Sequence, residues 1–168
     1  MPVPDAGEAL PAIRVRTARF ADALALLRWR NDPVARAKSG SSNPIGLVEH
    51  LRWFRRSKFN ADTIILIIVA GSGARVGTVR FVASEPDLWT TSISIAKEAR
   101  GRSYGIGGLL AGEAYVQSQH RQPVFRARVS MDNIASQKLF ERAGYSQIGK
   151  DDQGFMLFIK LPAAGGQQ

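Results

Sequence analysis

The stretch Ile93–Gln119, ISIAKEARGRSYGIGGLLAGEAYVQSQ, decides the fold. Its β-branched start (Ile93, Ile95) gives way to a basic, glycine-rich turn, after which Leu109, Leu110, Ala114, Tyr115 and Val116 recur at helical spacing. The pattern predicts strand, loop, helix. Gly105 and Gly107 carry no Cβ to hold a ligand off the backbone, and the first N–H groups of the following helix have no partner inside it. Those donors, the positive end of the helix dipole, and Arg100 and Arg102 just before it together suit an anion. The stretch is thus a candidate pyrophosphate cradle, although by itself it reads equally well as a β-to-α connection with no ligand.

Two nucleotide motifs are excluded. A P-loop requires a Lys-Ser/Thr pair after its last glycine, and Leu109 and Leu110 stand there instead. A dinucleotide fingerprint requires a run of parallel βαβ units, and the flanking sequence shows none. What remains is Arg102-x-x-Gly105-x-Gly107, which resembles the Arg/Gln-x-x-Gly-x-Gly/Ala signature of the GNAT acetyltransferase superfamily. A second register, Arg100-x-x-Ser103-x-Gly105, replaces the first glycine by serine.

The 168 residues suit one domain able to bury a core without covalent staples. There is no cysteine, which excludes disulfides, thiolate nucleophiles and cysteine-ligated zinc, and the two histidines, His50 and His120, leave little for a metal site. The longest apolar run, Ile64 to Ala70, is far short of a membrane span, and MPVPDAGEALPAI lacks the basic-then-apolar order of a signal peptide, so a cytoplasmic protein is expected. Lys and Arg number 23 against 14 Asp and Glu, a formal net charge of +9. That balance attracts polyanions. A phosphorylated cofactor or nucleotide-linked acceptor answers it as readily as RNA, and no aromatic-rich basic strand of the kind that stacks bases is present, so nucleic acid or the ribosome is the less favoured partner.

Taken in order, residues 1–11 read as disordered, punctuated by Pro2, Pro4, Gly7 and Pro11. Ile13, Val15 and Thr17 alternate as a strand, and Phe20 to Arg30 turns helical, with Leu24, Leu27 and Trp29 near one face. Asn31, Asp32 and Pro33 stop that helix, and Ser39 to Gly46 forms a flexible loop. A helix from Leu47 to about Ser57 carries an apolar stripe of Leu47, Leu51 and Phe54, with His50 near its edge. Thr63 to Ala70 reads as a strand buried on both faces, followed by strands at Arg75 to Ala83 and Leu88 to Ile95 that form an antiparallel meander into the glycine-rich loop. Past that loop come a strand at Val124 to Val129, a helix at Asn133 to Ala143 ended by Gly144, and a hairpin of Tyr145 to Ile148 with Phe155 to Leu161. Residues 162–168 read as a frayed tail.

The segment Arg128 to Gly149, RVSMDNIASQKLFERAGYSQIG, is similar to a second GNAT hallmark: a strand, Asn-x-x-Ala/Ser, then a helix ending in Gly-Phe/Tyr. Asn133, Ser136, Phe140, Gly144 and Tyr145 stand at those places. The resemblance covers about Ile13 to Leu161 and implies an α+β GNAT fold over residues 12–161. That fold is a single mixed, mostly antiparallel central sheet of about seven strands flanked by about four helices. It also implies an acetyl-CoA-dependent N-acetyltransferase that needs no metal. Acetyl-CoA would be held by Ser94, Ile95 and Ala96, whose backbone N–H groups face the acetyl carbonyl. The loop residues Arg102, Ser103, Tyr104, Gly105, Ile106, Gly107 and Gly108 would hold the pyrophosphate, and Asn133 and Phe140 would lie along the pantetheine arm.

Trp29-Arg30-Asn31-Asp32-Pro33 with Glu49-His50-Leu51 looks like acetyltransferases of amino-sugar nucleotides, including the pseudaminic acid pathway type, and more broadly like ribosomal-protein N-terminal acetyltransferases. That likeness implies Trp29, Arg30, Asn31 and His50 as acceptor-side residues and a small amine, nucleotide-linked, as acceptor. His50 is the one candidate base. Each also has a plainer reading: Trp29 as core, Asn31 as a helix cap, His50 as a satisfied histidine. Two departures stand out. Phe140 occupies the place of a proton-donating tyrosine, and Arg128 lies near a position that is acidic in some sugar-specific relatives, so a CoA-binding module without turnover is the further alternative.

Overall fold

The computed structural model describes residues 10–38 and 43–162. The expected disordered start and frayed tail lie almost wholly outside them, as do Ser39 to Ser42 of the expected flexible loop. Strands β1 (Ile13–Thr17), β2 (Thr63–Ala70), β3 (Arg75–Glu85), β4 (Leu88–Ile95), β5 (Val124–Val129), β6 (Ser146–Lys150) and β7 (Met156–Lys160) form one sheet ordered β1-β2-β3-β4-β5-β7-β6. Every neighbouring pair is antiparallel except β4 with β5. A parallel pair needs a crossover, and α4 (Tyr104–Gln117) supplies it. The α+β architecture read from the sequence is the one observed.

Five α-helices are described rather than about four: α1 (Ala23–Arg30), α2 (Pro33–Lys38), α3 (Leu47–Lys58), α4 and α5 (Ile134–Arg142). The additional one is α2, which begins at the proline expected to end helical structure. Proline fits the first helical position, where its missing N–H is not needed, and the Asp32 carboxylate accepts the Ala35 N–H at 3.0 Å as the cap.

Strand alternation divides the core into two layers. Leu66, Val79, Phe81 and Val15 face α4 and α5, while Ile65, Ile67, Trp29 and Phe54 pack on the α1 and α3 side. α4 lies close on the sheet because Gly108 and Gly112 present no side chain to it: a Cβ would stand 2.3 Å from Ile68 Cδ1 at the first and 2.7 Å from Val79 Cγ1 at the second. Two expected stripes are corrected. In α3 the buried residues are His50 and Phe54, with Leu47 and Leu51 exposed, and in α1 Ala23, Ala25, Leu26 and Trp29 are buried while Leu24 is exposed. The cause is the angle of approach. α1 and α3 pack on each other as well as on the sheet, so the covered stripe is rotated from the one that leucines alone would mark.

Asp22 ties the first strand to the first helix. Its buried carboxylate accepts Arg16 Nη1 at 2.7 Å and Nη2 at 3.0 Å, Arg75 Nη1 at 3.0 Å and the Arg19 N–H at 2.8 Å. These donors, Arg16 foremost, hold its pKa far below the usual carboxylate range despite the opposing effect of burial.

Candidate active site

The sheet forks at the middle of its parallel pair. β4 stays paired with β3 as far as Ile95↔Gly77, and β5 stays paired with β7 as far as Val129↔Met156, but β4 and β5 pair only from Leu88↔Val124 to Thr91↔Ala127. Past Thr91 they separate. On the far prong Arg128 is held away by the β6–β7 turn: its guanidinium bonds Asp151 and, at 2.7 Å, Gln153 Oε1, and lies 3.5 Å from the centroid of the Phe155 ring. Tyr145 sits behind the junction, with its buried hydroxyl 3.4 Å from Thr91 Oγ1.

Opening the fork leaves backbone donors without partners. The Ala96 N–H bonds Val76 O of β3 at 2.9 Å, so by alternation the Ser94 N–H also points to β3, and those of Ile93 and Ile95 point into the gap. The expectation that Ser94 to Ala96 all offer N–H groups narrows accordingly: Ile93 and Ile95 are the donors, and Ala96 is spent on the sheet. The Ile95 carbonyl, on the same side, accepts Arg100 Nε at 3.2 Å.

The start of α4 adds a second group of donors. Ser103 precedes the helix in the left-handed region (φ 56°) and does not cap it with its side chain, and Gly101 lies at φ 75°. Among the described residues, the first ladder bond of this turn joins the Gly107 N–H to Ser103 O at 3.3 Å, which leaves the N–H groups of Tyr104, Gly105 and Ile106 for a ligand. Arg102 is exposed beside them, with no hydrogen bond or ion pair among the described residues, whereas Arg100 is committed to Asp32 Oδ2 at 2.8 Å. Fork and helix start open on one cavity of about 980 Å³.

Ser94, Ile95, Ser103, Tyr104, Gly105, Ile106, Asn133 and Phe140 all line this cavity. Ala96, Arg102, Gly107 and Gly108 do not. A Cβ on Gly107 would meet Ile13 Cγ1 at 3.4 Å, so this glycine, expected to face the ligand, faces β1 instead. Asn133 caps α5 by accepting the Ser136 N–H at 3.2 Å. Phe140 is buried against Tyr145, with ring centroids 4.9 Å apart.

A model of the acetyltransferase (GNAT) domain matches residues 13–146. The chain belongs to this family. No match was found among curated proteins. Solved structures share the fold at low identity. Spermidine N-acetyltransferase from Vibrio cholerae, in complex with CoA and spermine, superposes with a TM-score of 0.83 at 12% identity, over 90% of this chain and 96% of its own. Ribosomal-protein-alanine N-acetyltransferase from Brucella melitensis gives 0.75 at 21%, over 88% and 98%. A phosphinothricin acetyltransferase from Sinorhizobium meliloti, in complex with AcCoA, gives 0.77 at 17%, over 92% and 90%.

For a GNAT domain the donor set is chemically apt for acetyl-CoA. Helix-start N–H groups with an unpaired arginine suit a pyrophosphate, and a half-open strand edge suits the amides of a pantetheine arm. Among the described residues, no cluster of three or more His, Asp or Glu side chains could hold a metal ion, and no helix is long and apolar enough to cross a membrane.

The acceptor-side expectations divide. Trp29, Arg30 and His50 line the cavity wall built by α1 and α3. Asn31 does not; its amide is fastened to Ile45, donating to the carbonyl and accepting the N–H, each at 2.8 Å. His50 is 2% exposed, and its Nε2–H donates to Ala23 O at 2.8 Å, so Nδ1 carries the ring's lone pair. Burial lowers its pKa, outweighing the carbonyl bond, and the ring is neutral at pH 7. Sequence reasoning missed Arg80 and Trp53, which line the same wall. The signal for Arg80 was a strand arginine set between two apolar residues, Val79-Arg80-Phe81.

Proposed function

We propose that this GNAT domain transfers the acetyl group of acetyl-CoA to the primary amine of a small acceptor, a nucleotide-linked amino sugar. The observation that carries the reading is one cavity with two unlike walls. The fork and the start of α4 present backbone donors, and α1, α3 and β3 present Trp29, Arg30, His50, Trp53 and Arg80. When bound, acetyl-CoA supplies a thioester carbon open to a neutral amine and a thiolate that can leave. Tyr104, Gly105 and Ile106 N–H groups, with Arg102, hold the pyrophosphate, and the fork-facing N–H groups of Ile93 and Ile95 orient the arm and the carbonyl.

His50, which lines the cavity and keeps the Nδ1 lone pair, is the candidate to take the amine proton, directly or through water. Its lowered basicity suits an amine that is itself weakly basic, as a sugar amine flanked by oxygens is. Phe140 has no proton to give, so the sulfur is protonated by solvent. The aromatic ring instead closes the apolar side of the fork.

The test is a panel of amines followed by release of free thiol from acetyl-CoA. Turnover with amino-sugar nucleotides is the expected result. Turnover confined to ribosomal-protein N-terminal peptides would replace this acceptor assignment, and binding of acetyl-CoA with no turnover on any amine would leave a non-catalytic CoA module.

A further inference from the structure

The acceptor wall contains a charge that no carboxylate among the described residues answers. Arg80 projects from the face of β3 that carries Thr78, beside Ser92 and Ser94 of β4, and its guanidinium stands 5.5 Å from the centroid of the Trp53 ring on α3. Among the described residues its guanidinium has no hydrogen bond and no ion pair. The arginines that brace the fold contrast with it: Arg16 and Arg75 hold Asp22, Arg100 holds Asp32 and Arg128 holds Asp151. The charge nearest to Arg80 in effect is that of Arg30, which has the same sign. Burial first and Arg30 second lower the pKa of Arg80, yet an arginine remains a cation at any physiological pH.

Half-burying a guanidinium beside another cation opposes folding unless something returns the loss. Here the residue lines an open cavity, so an anion entering that cavity can return it. That anion is not the pyrophosphate. Arg80 lies opposite Ser92, three residues along β4 from Ile95, which corresponds to about 10 Å of strand. Ile95 is the residue that neighbours Gly105 at the start of α4. Arg80 also stands on the sheet face that packs on α1 and α3, opposite the face that packs on α4. Among the described residues, the one carboxylate along the cavity lining is Glu49, exposed on the first turn of α3.

We propose that Arg80 forms an anion-recognising subsite on the acceptor wall, so that the acceptor is an amine bearing a phosphate or carboxylate group and polycationic amines are rejected. The planar fork of a guanidinium takes two oxygens of either group at once. The Arg80 cation repels a polyamine, which separates this acceptor from the spermidine named for the Vibrio cholerae structure. The inference rests on the acetyl-transfer reading of the same cavity, but it is tested by binding, so that either can fail without the other.

Protein saturated with CoA is titrated calorimetrically with two matched pairs and one polycation. D-Glucosamine 6-phosphate against D-glucosamine is the phosphate arm, 4-aminobutyrate against 4-amino-1-butanol is the carboxylate arm, and spermidine is the polycation. At least one anionic member should bind about 10- to 100-fold tighter than its neutral partner, the range expected for a charge-assisted contact, with the stronger arm naming the anion. Arg80→Gln should abolish that ratio, and CoA affinity in the same sample reports whether the fold is intact. If Arg80→Gln does not fold, Arg80→Lys carries the test by reducing the ratio several-fold, since an ammonium cannot engage two oxygens in one plane. Equal or undetectable binding in both pairs, preferential binding of spermidine, or a ratio that survives Arg80→Gln would overturn the proposal. A surviving charge preference with no thiol release on any amine would instead overturn acetyl transfer and leave the subsite standing.

Discussion

Arg100 and Asp32, 68 positions apart, are joined at 2.8 Å, and the same guanidinium holds the Ile95 carbonyl at the end of β4. One side chain thereby fastens the beginning of α2 to the loop that enters α4, and so joins the acceptor wall to the cofactor wall. Arg100 foremost, with the Ala35 N–H, lowers the Asp32 pKa. Asp32→Ala removes both the ion pair and the α2 cap, and it should cost about 1 kcal/mol in urea unfolding while loosening the cavity on the α2 side. An unchanged midpoint would show that neither contact bears on stability.

Arg102 and Arg100 separate by role. Arg102→Ala should weaken acetyl-CoA binding by a factor that shrinks as salt is added, because an exposed guanidinium on a phosphate is screened. Arg100→Ala should act chiefly on stability, through Asp32 and Ile95. Titrations at two ionic strengths distinguish them, and a larger, salt-dependent loss in Arg100→Ala would favour the register that begins at Arg100.

Much of this was legible in the sequence, and the misses share a cause. Strand alternation and the Gly144 helix stop are local, so the strands were readable from spacing, and the two hallmark segments from their resemblance to the family's motifs. Burial of His50 in place of Leu47 and Leu51, the pinning of Asn31 by Ile45, and the turning of Gly107 toward Ile13 depend on how helices lie on the sheet. Those contacts span elements distant in sequence. Arg80 was overlooked because a single arginine in a strand reads as solvent-facing until the cavity on that face is known.

The glycines of α4 now predict stability rather than affinity. Gly108→Ala sets a methyl group against Ile68, which is 0% exposed and cannot yield freely, and should cost about 1–3 kcal/mol. Gly107→Val should likewise lower the unfolding midpoint by pressing on β1, with acetyl-CoA affinity retained in the folded fraction. A folded, fully stable Gly107→Val protein that fails to bind would return this residue to the ligand.

Asp22 sets the acid limb of the stability curve. Its folded pKa lies below the unfolded value, so its contribution is complete above the unfolded pKa of about 3.9 and is lost as pH falls toward the folded value. Asp22→Asn should therefore be less stable at pH 7 by about 2 kcal/mol, and the two proteins should converge as pH drops below about 4. Parallel curves down to pH 2 would contradict the linkage.

Phe140→Tyr should leave turnover equal or faster, with the gain limited to the roughly 10²- to 10⁴-fold that general acid catalysis provides. Phe140→Ala should cost about 3 kcal/mol of stability as well as affinity, because the ring is buried against Tyr145 and Phe158. A large fall in turnover for Phe140→Tyr with acetyl-CoA binding intact would assign the position a role in shape that its packing does not suggest.

The central claim is that acetyl-CoA binds across the fork and the start of α4 through backbone donors that the fold leaves unpaired. Backbone amide NMR with hydrogen exchange, recorded without and with saturating acetyl-CoA, reads those donors one by one. The N–H groups of Ile93, Ile95, Tyr104, Gly105 and Ile106 should shift and become protected, while that of Ala96, already bonded to Val76, should keep its protection unchanged. Binding that leaves those five amides exchanging as before, with new protection elsewhere on the surface, would contradict the account.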